Sequence, residues 1–89
     1  MYCCLMTVKS QTQAMKMSRV LSSAGVRHAV VKPPGKLLIN SCTHGVQIRD
    51  TDLKEALLLL SQADMSPLTV YAAFPDGRYE PVKWDEERP

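Results

Sequence analysis

The sequence predicts a small α+β protein with a ferredoxin-like βαββαβ sandwich, an antiparallel sheet with two helices on one face. Two observations predict it. Short apolar runs alternate with two segments of helical periodicity, and the segments follow the order β-α-β-β-α-β. Short connections and right-handed crossovers favour the ferredoxin-like arrangement for this order. With 89 residues the chain forms one domain. We expect this domain at residues 1–76 and a C-terminal extension at 77–89.

The first half begins with an apolar run at residues 2–8, which predicts a buried strand. Ser10 and Gln13 then form a capping box, and apolar residues at helical spacing predict a helix over 10–24. Gly25 follows it, where a left-handed residue commonly ends a helix. Residues 26–32 predict a second strand, which Pro33 stops.

The second half repeats the plan. Alternation at residues 46–49 predicts a third strand, and Asp50 is placed to cap a second helix. The apolar stripe of that helix comprises Leu53, Ala56, Leu57, Leu60 and Ala63. Residues 68–74 predict a fourth strand, and residues 78–84 can return after a turn as an added strand.

Composition and charge limit the function classes. The chain is 45% hydrophobic and 22% charged, which is typical of a globular protein. Eleven Lys+Arg against nine Asp+Glu leave a net charge of +2. That is weak for a nucleic-acid binder, whose domain usually has a pI above about 9. No segment reaches the roughly 20 apolar residues of a membrane helix. We expect neither nucleic acid nor a membrane as partner.

The three cysteines, Cys3, Cys4 and Cys42, do not predict a disulfide scaffold, because their number is odd and two are neighbours. Together with the absence of a signal-peptide pattern, they favour a reducing cytoplasm. Cys3 and Cys4 should face opposite sides of the first strand and act as small apolar residues. Structural zinc sites have four ligands, typically in paired spacings, and this sequence has no such pattern. We therefore expect no metal and no bound cofactor.

Cys42 lies in a loop of small polar residues, and the predicted topology places this loop at the same end of the sheet as the start of the first helix. A helix start presents free N–H groups and about half a positive charge, so it favours a thiolate there. We expect Cys42 to be the reactive residue. The candidate supporting residues at this end are Lys9, Ser10, Lys36, Ser41 and His44.

Over about residues 2–74, the sequence resembles the Se/S carrier-like family of small bacterial proteins. The matching residues are Ser10, Gln13 and Ala14 at the first helix, the segment 21–26 at its end, and Ser41, Cys42, Gly45 and Val46. The resemblance implies that Cys42 accepts sulfur or selenium from a donor protein and passes it to an acceptor protein. A persulfide on Cys42 would be the intermediate.

The sequence departs from the family pattern by placing Thr43 and His44 between Cys42 and Gly45. The insertion either brings His44 beside Cys42 as a base or removes the carrier geometry. The cargo is sulfur, selenium or neither. The rival interpretation is a non-catalytic interaction module that binds through the open face of the sheet or through Leu58 and Leu59. The open face is also a candidate surface for a homodimer.

Overall fold

A computed structural model, which describes residues 2–38 and 40–82, forms one five-stranded antiparallel sheet with two helices. The elements are β1 (Cys3–Val8), α1 (Gln11–Ser23), β2 (Ala29–Val31), β3 (His44–Arg49), α2 (Leu53–Gln62), β4 (Thr69–Ala73) and β5 (Tyr79–Pro81). The strand order is β2-β3-β1-β4-β5. The predicted ferredoxin-like α+β fold is confirmed, with β5 as an added strand beside β4.

The core lies between the sheet and the two helices. Strand β1 is central, and alternate residues Cys4, Met6 and Val8 point into this core. The helices contribute Ala14, Met17, Leu21, Ala56 and Leu60, all of them buried. Cys3 lies on the opposite, open face, so the predicted alternation of the two neighbouring cysteines is confirmed.

Helix α1 begins and ends as its sequence predicts. The Gln13 N–H donates to Ser10 Oγ at 3.3 Å, so Ser10 makes its half of the capping box. After the helix, Gly25 has a φ of 77°, which costs glycine little. The Val26 N–H closes the helix end by donating to Leu21 O at 2.9 Å.

Three predicted boundaries were wrong. Strand β3 begins at His44 rather than at residue 46, because His44 and Gly45 pair with β1. Strand β2 begins at Ala29 rather than at residue 26, because the Val26 N–H serves the end of α1 instead of the sheet. Asp50 does not cap α2, because Asp50–Asp52 form a turn of 3-10 helix before it. Asp52 precedes α2 without a side-chain capping bond, and its carboxylate instead accepts from Arg49 Nε at 3.0 Å.

The connection between β2 and β3 lies against the open face of the sheet. Gly45 permits this approach, since a Cβ there would lie 2.6 Å from Leu5 Cδ1 and 3.4 Å from Pro33 Cγ. Further along the connection, Lys36 Nζ lies 5.5 Å from the ring centroid of Tyr79 on β5. The chain itself therefore covers part of this face, and a homodimer through it stays a prediction.

Strand β5 pairs with β4 in regular register. The Phe74 N–H donates to Arg78 O at 2.9 Å, and the Val82 N–H donates to Val70 O at 2.8 Å. Alternation along β5 then directs the ring nitrogen of Pro81 away from β4, where no ladder bond is needed. Residues 83 and 84 of the predicted strand lie outside the described residues. Within residues 2–38 and 40–82, no helix is long and apolar enough to span a membrane.

Candidate functional site

The candidate site lies where β1 ends and β3 begins. Val8 pairs with His44 across these strands. Ser10 lies two residues after Val8, and Cys42 lies two residues before His44. The Cys42 loop and the start of α1 are therefore at the same end of the sheet. Cys42 is an exposed free cysteine on this loop.

Asn40 and Thr43 fix the backbone around Cys42. The Cys42 N–H donates to Asn40 Oδ1 at 2.7 Å, and the Thr43 N–H donates to Asn40 O at 3.2 Å. The Asn40 N–H donates in turn to Thr43 Oγ1 at 3.1 Å. Thr43 is fully buried. The buried Thr43 thus anchors the loop to the protein interior, while Cys42 is exposed to solvent.

Lys32 closes the loop from the β2 side. Its Nζ donates to Ser41 O at 2.6 Å and to Thr43 O at 3.0 Å. These two carbonyl groups flank Cys42 in the chain, so an ammonium lies beside the backbone that carries the thiol. Lys32 directly follows β2, and no spacing in the sequence indicates that its ammonium bridges two carbonyl groups of the loop.

His44 contacts the main chain of Cys42. Its Nδ1 lies 2.8 Å from Cys42 O. A carbonyl oxygen only accepts hydrogen bonds, so Nδ1 carries a proton, and Nε2 is the basic nitrogen of the neutral ring. The contact holds the imidazole against the loop. A role for His44 as base to the Cys42 thiol stays a prediction.

The other predicted residues are divided between two places. Lys9 follows β1 and is exposed, and Ser10 uses its hydroxyl as the cap of α1. Ser41 is exposed and offers its carbonyl to Lys32. Lys36 lies over Tyr79, three strands from β3, so the structure does not bring it to the group around Cys42.

The other two thiols lie at the far end of β1. Cys4 is fully buried, and burial raises the pKa of its thiol to about 11, with smaller contributions from Asp50 and Cys3. Cys3 pairs with Arg49, whereas Val8 at the other end of β1 pairs with His44. The strand between Cys3 and Val8 spans about 17 Å. A disulfide requires Cα atoms within about 7 Å, so neither thiol is placed to bond Cys42.

A metal centre is not evident in the described part of the chain. Residues 2–38 and 40–82 contain no group of three or more His, Cys, Asp and Glu side chains that could hold a metal ion. His28 instead binds within the protein, with its Nδ1 3.0 Å from Val26 O and its Nε2 2.6 Å from Ser18 Oγ.

Comparison with known families identifies the group to which this fold and cysteine belong. Residues 3–72 match the family described as "Putative Se/S carrier protein-like". The chain belongs to this family. The matched segment of the Se/S carrier-like chain covers both helices and strands β1 to β3, and it includes Cys42. No curated protein and no solved structure matches the chain.

Proposed function

We propose that this member of the Se/S carrier-like family is a small thiol carrier, which accepts sulfur or selenium on Cys42 and passes it to a partner protein. The observation that carries the proposal is an exposed thiol on a backbone held by Asn40 and Lys32, within the family match. A carrier needs such a thiol in reach of two other proteins in turn. The reducing cytoplasm, where cysteines stay free, suits this chemistry.

Loading is a thiol exchange at the sulfane sulfur of a donor persulfide. The Cys42 thiolate attacks the outer sulfur, the donor S–S bond breaks, and the donor leaves as a thiolate. The proton on the outer sulfur stays with it, and Cys42 becomes a persulfide. A donor selenosulfide reacts in the same way and leaves an S–Se bond on Cys42.

Unloading requires a second thiol from outside this chain. An acceptor thiolate attacks the outer sulfur, and Cys42 leaves as a thiolate that restores the starting state. Cys4 is unsuited to this step because it is buried with a pKa of about 11. Cys3 lies about 17 Å along β1 from Val8, and Cys42 lies at the Val8 end of this strand.

Positive groups lie at the same end of the sheet as Cys42. The N-terminal end of α1, capped by Ser10, lies at the same end of the sheet and carries partial positive charge. The ammonium of Lys32 lies beside the flanking carbonyl groups, and Lys9 adds an exposed cation after β1. His44, whose Nδ1 contacts Cys42 O, is the candidate base for the resting thiol.

The test is loading by a cysteine desulfurase with cysteine as substrate, followed by intact mass measurement. We expect wild type and Cys3→Ser to gain the mass of one sulfur atom and Cys42→Ser to gain none. A parallel reaction with a selenium-mobilising donor identifies the preferred cargo. An adduct of equal abundance in Cys42→Ser would overturn the proposal.

The second candidate function is a non-catalytic interaction module. It is favoured by Leu58, which lies on the outer face of α2 and is 60% exposed. Leu59, by contrast, packs against the core, so the two leucines do not form one surface. Sedimentation of wild type and Leu58→Gln tests this function: a wild-type dimer lost in the variant supports a module, and two monomers exclude self-association through Leu58.

A further inference from the structure

A cleft of about 690 Å³ opens on the sheet at the end opposite the Cys42 loop. Its floor is one row of the sheet, in which Arg49, Cys3, Ala73 and Tyr79 are neighbours from β3 to β5. The two central residues are small and the two outer ones are long. The row is therefore concave. The volume of the cleft falls in the range of about 300–1,000 Å³ that is usual for small-molecule sites.

One wall of this cleft is polar. It comprises Gln47, Arg49, Asp50 and Thr51. Gln47 and Asp50 are half-buried residues, and within residues 2–38 and 40–82 the side chain of neither makes a hydrogen bond or ion pair. The Arg49 Nε is bound to Asp52. The wall thus offers a carboxylate acceptor and an amide with donor and acceptor atoms.

The opposite wall is aromatic. Tyr2 and Phe74 lie with ring centroids 5.2 Å apart and planes inclined by 43°, and Tyr79 continues the wall. Arg78 lies 4.6 Å from the Phe74 ring centroid, and Lys36 lies 5.5 Å from that of Tyr79. Neither cation lines the cleft. Tyr2 also packs against the hydrophobic core, and all three rings border the cleft.

We propose that this cleft binds a free planar nitrogen heterocycle of about nucleoside size, whose ring N–H groups donate to Asp50. A flat ring stacks on the aromatic wall, since offset and tilted ring contacts are favourable at centroid distances of about 4.5–7 Å. Its edge meets the polar wall, where Asp50 accepts from N–H groups and Gln47 satisfies a neighbouring polar atom. Neither Cys42 nor any other residue of the carrier site takes part.

The charges around the cleft favour a ligand without phosphate. Arg49 is paired with Asp52, and Arg78 is paired with Asp76 at 2.8 Å and Glu80 at 2.7 Å. Asp50 adds a negative charge to the polar wall. Among the lining residues Arg49 is the cation, and its Nε is held by Asp52, while Lys36 lies over Tyr79 outside the lining, so a 5′-nucleotide should bind no better than the free heterocycle.

The test uses guanosine, caffeine, guanosine 5′-monophosphate and ribose as probes on Cys42→Ser protein, in which Cys3 is the accessible thiol. Binding is followed by amide shifts of Cys3, Gln47 and Ala73 and by the rate at which iodoacetamide alkylates Cys3. We expect guanosine to slow alkylation about tenfold at saturation. Caffeine, which is planar but lacks ring N–H donors, should bind more weakly, and ribose should not bind.

Asp50→Asn should weaken guanosine binding about tenfold and leave caffeine binding unchanged, because only a carboxylate accepts from two adjacent N–H groups. Asp64→Asn, at an exposed aspartate outside the cleft, is the matched control and should change neither. Equal shifts with ribose, tighter binding of the monophosphate, or an Asp50→Asn variant that binds guanosine like wild type would each overturn the proposal.

Discussion

Lys32 and Ser41 are joined by a 2.6 Å hydrogen bond from the ammonium to the carbonyl oxygen, across nine residues of chain. A second bond at 3.0 Å reaches Thr43 O. The backbone on both sides of Cys42 is thus attached to the end of β2. The position of the exposed thiol depends on a side chain that belongs to another element.

Replacing Lys32 by Met should loosen this loop, because the alkyl stem remains and the donor to both carbonyl groups is lost. We expect amide hydrogen exchange at Cys42 and Thr43 to accelerate about tenfold, or about 1.4 kcal/mol, just below the roughly 1.5–3 kcal/mol usual for a hydrogen bond to a charged group, since Lys32 is exposed. Lys9→Met, at an exposed lysine after β1, is the control. Unchanged protection in Lys32→Met would show that Asn40 and Thr43 hold the loop alone.

Gly45→Ala should destabilise the protein by about 1–3 kcal/mol, the usual cost of overpacking. The new methyl group would lie 2.6 Å from Leu5 Cδ1, and Leu5 is only 2% exposed. Urea denaturation measures the loss. Gly35→Ala is the matched control, since nothing lies within 4 Å of its added Cβ. Equal stability of the two variants would mean that Leu5 and Pro33 move aside without cost.

Cys4 should make stability fall at alkaline pH. Its pKa is about 11 in the folded protein against 9.0 for the free thiol. The unfolded chain therefore loses this proton first, so the contribution of Cys4 is complete below pH 9 and is lost as the pH rises towards 11. The free energy of unfolding, measured by urea denaturation at several pH values between 9 and 11, should fall less steeply with pH for Cys4→Ala than for wild type. Cys3→Ala should retain the wild-type slope, and a Cys4→Ala slope equal to wild type would contradict the assignment.

Ser10→Ala should cost about 1 kcal/mol of stability by removing the cap of α1. The lost contact is the 3.3 Å bond from the Gln13 N–H to Ser10 Oγ. Ser23→Ala, at the exposed last residue of the same helix, is the control and should be neutral or slightly stabilising. A loss of equal size in both variants would assign the effect to general helix propensity.

The fold was predictable where local contacts decide it, and less so where the chain returns over long distances. Ser10 and Gly25 mark the ends of α1 because both act within one turn. The start of β2 could not be located in this way, since only the bond from Val26 to Leu21 shows which partner its N–H takes. Apolar alternation is the same for a linker and for a paired strand.

The candidate site divides in the same way. The end of the sheet at which Cys42 lies followed from element order alone. The path of the β2–β3 connection did not, because it depends on Pro33 approaching Gly45 and Leu5. That path carries Lys36 away to Tyr79 and leaves Lys32 as the cation beside the loop.

The outward ring nitrogen of Pro81 has a consequence for solutions at high concentration. Lateral growth of a sheet needs an outer strand with a continuous set of N–H donors, and proline interrupts that set. On the other flank, Ala29–Val31 offers only three residues. Both edge strands are thus poor templates for the addition of another chain. At high concentration the protein should therefore not aggregate through its sheet edges, even though Leu58 is exposed.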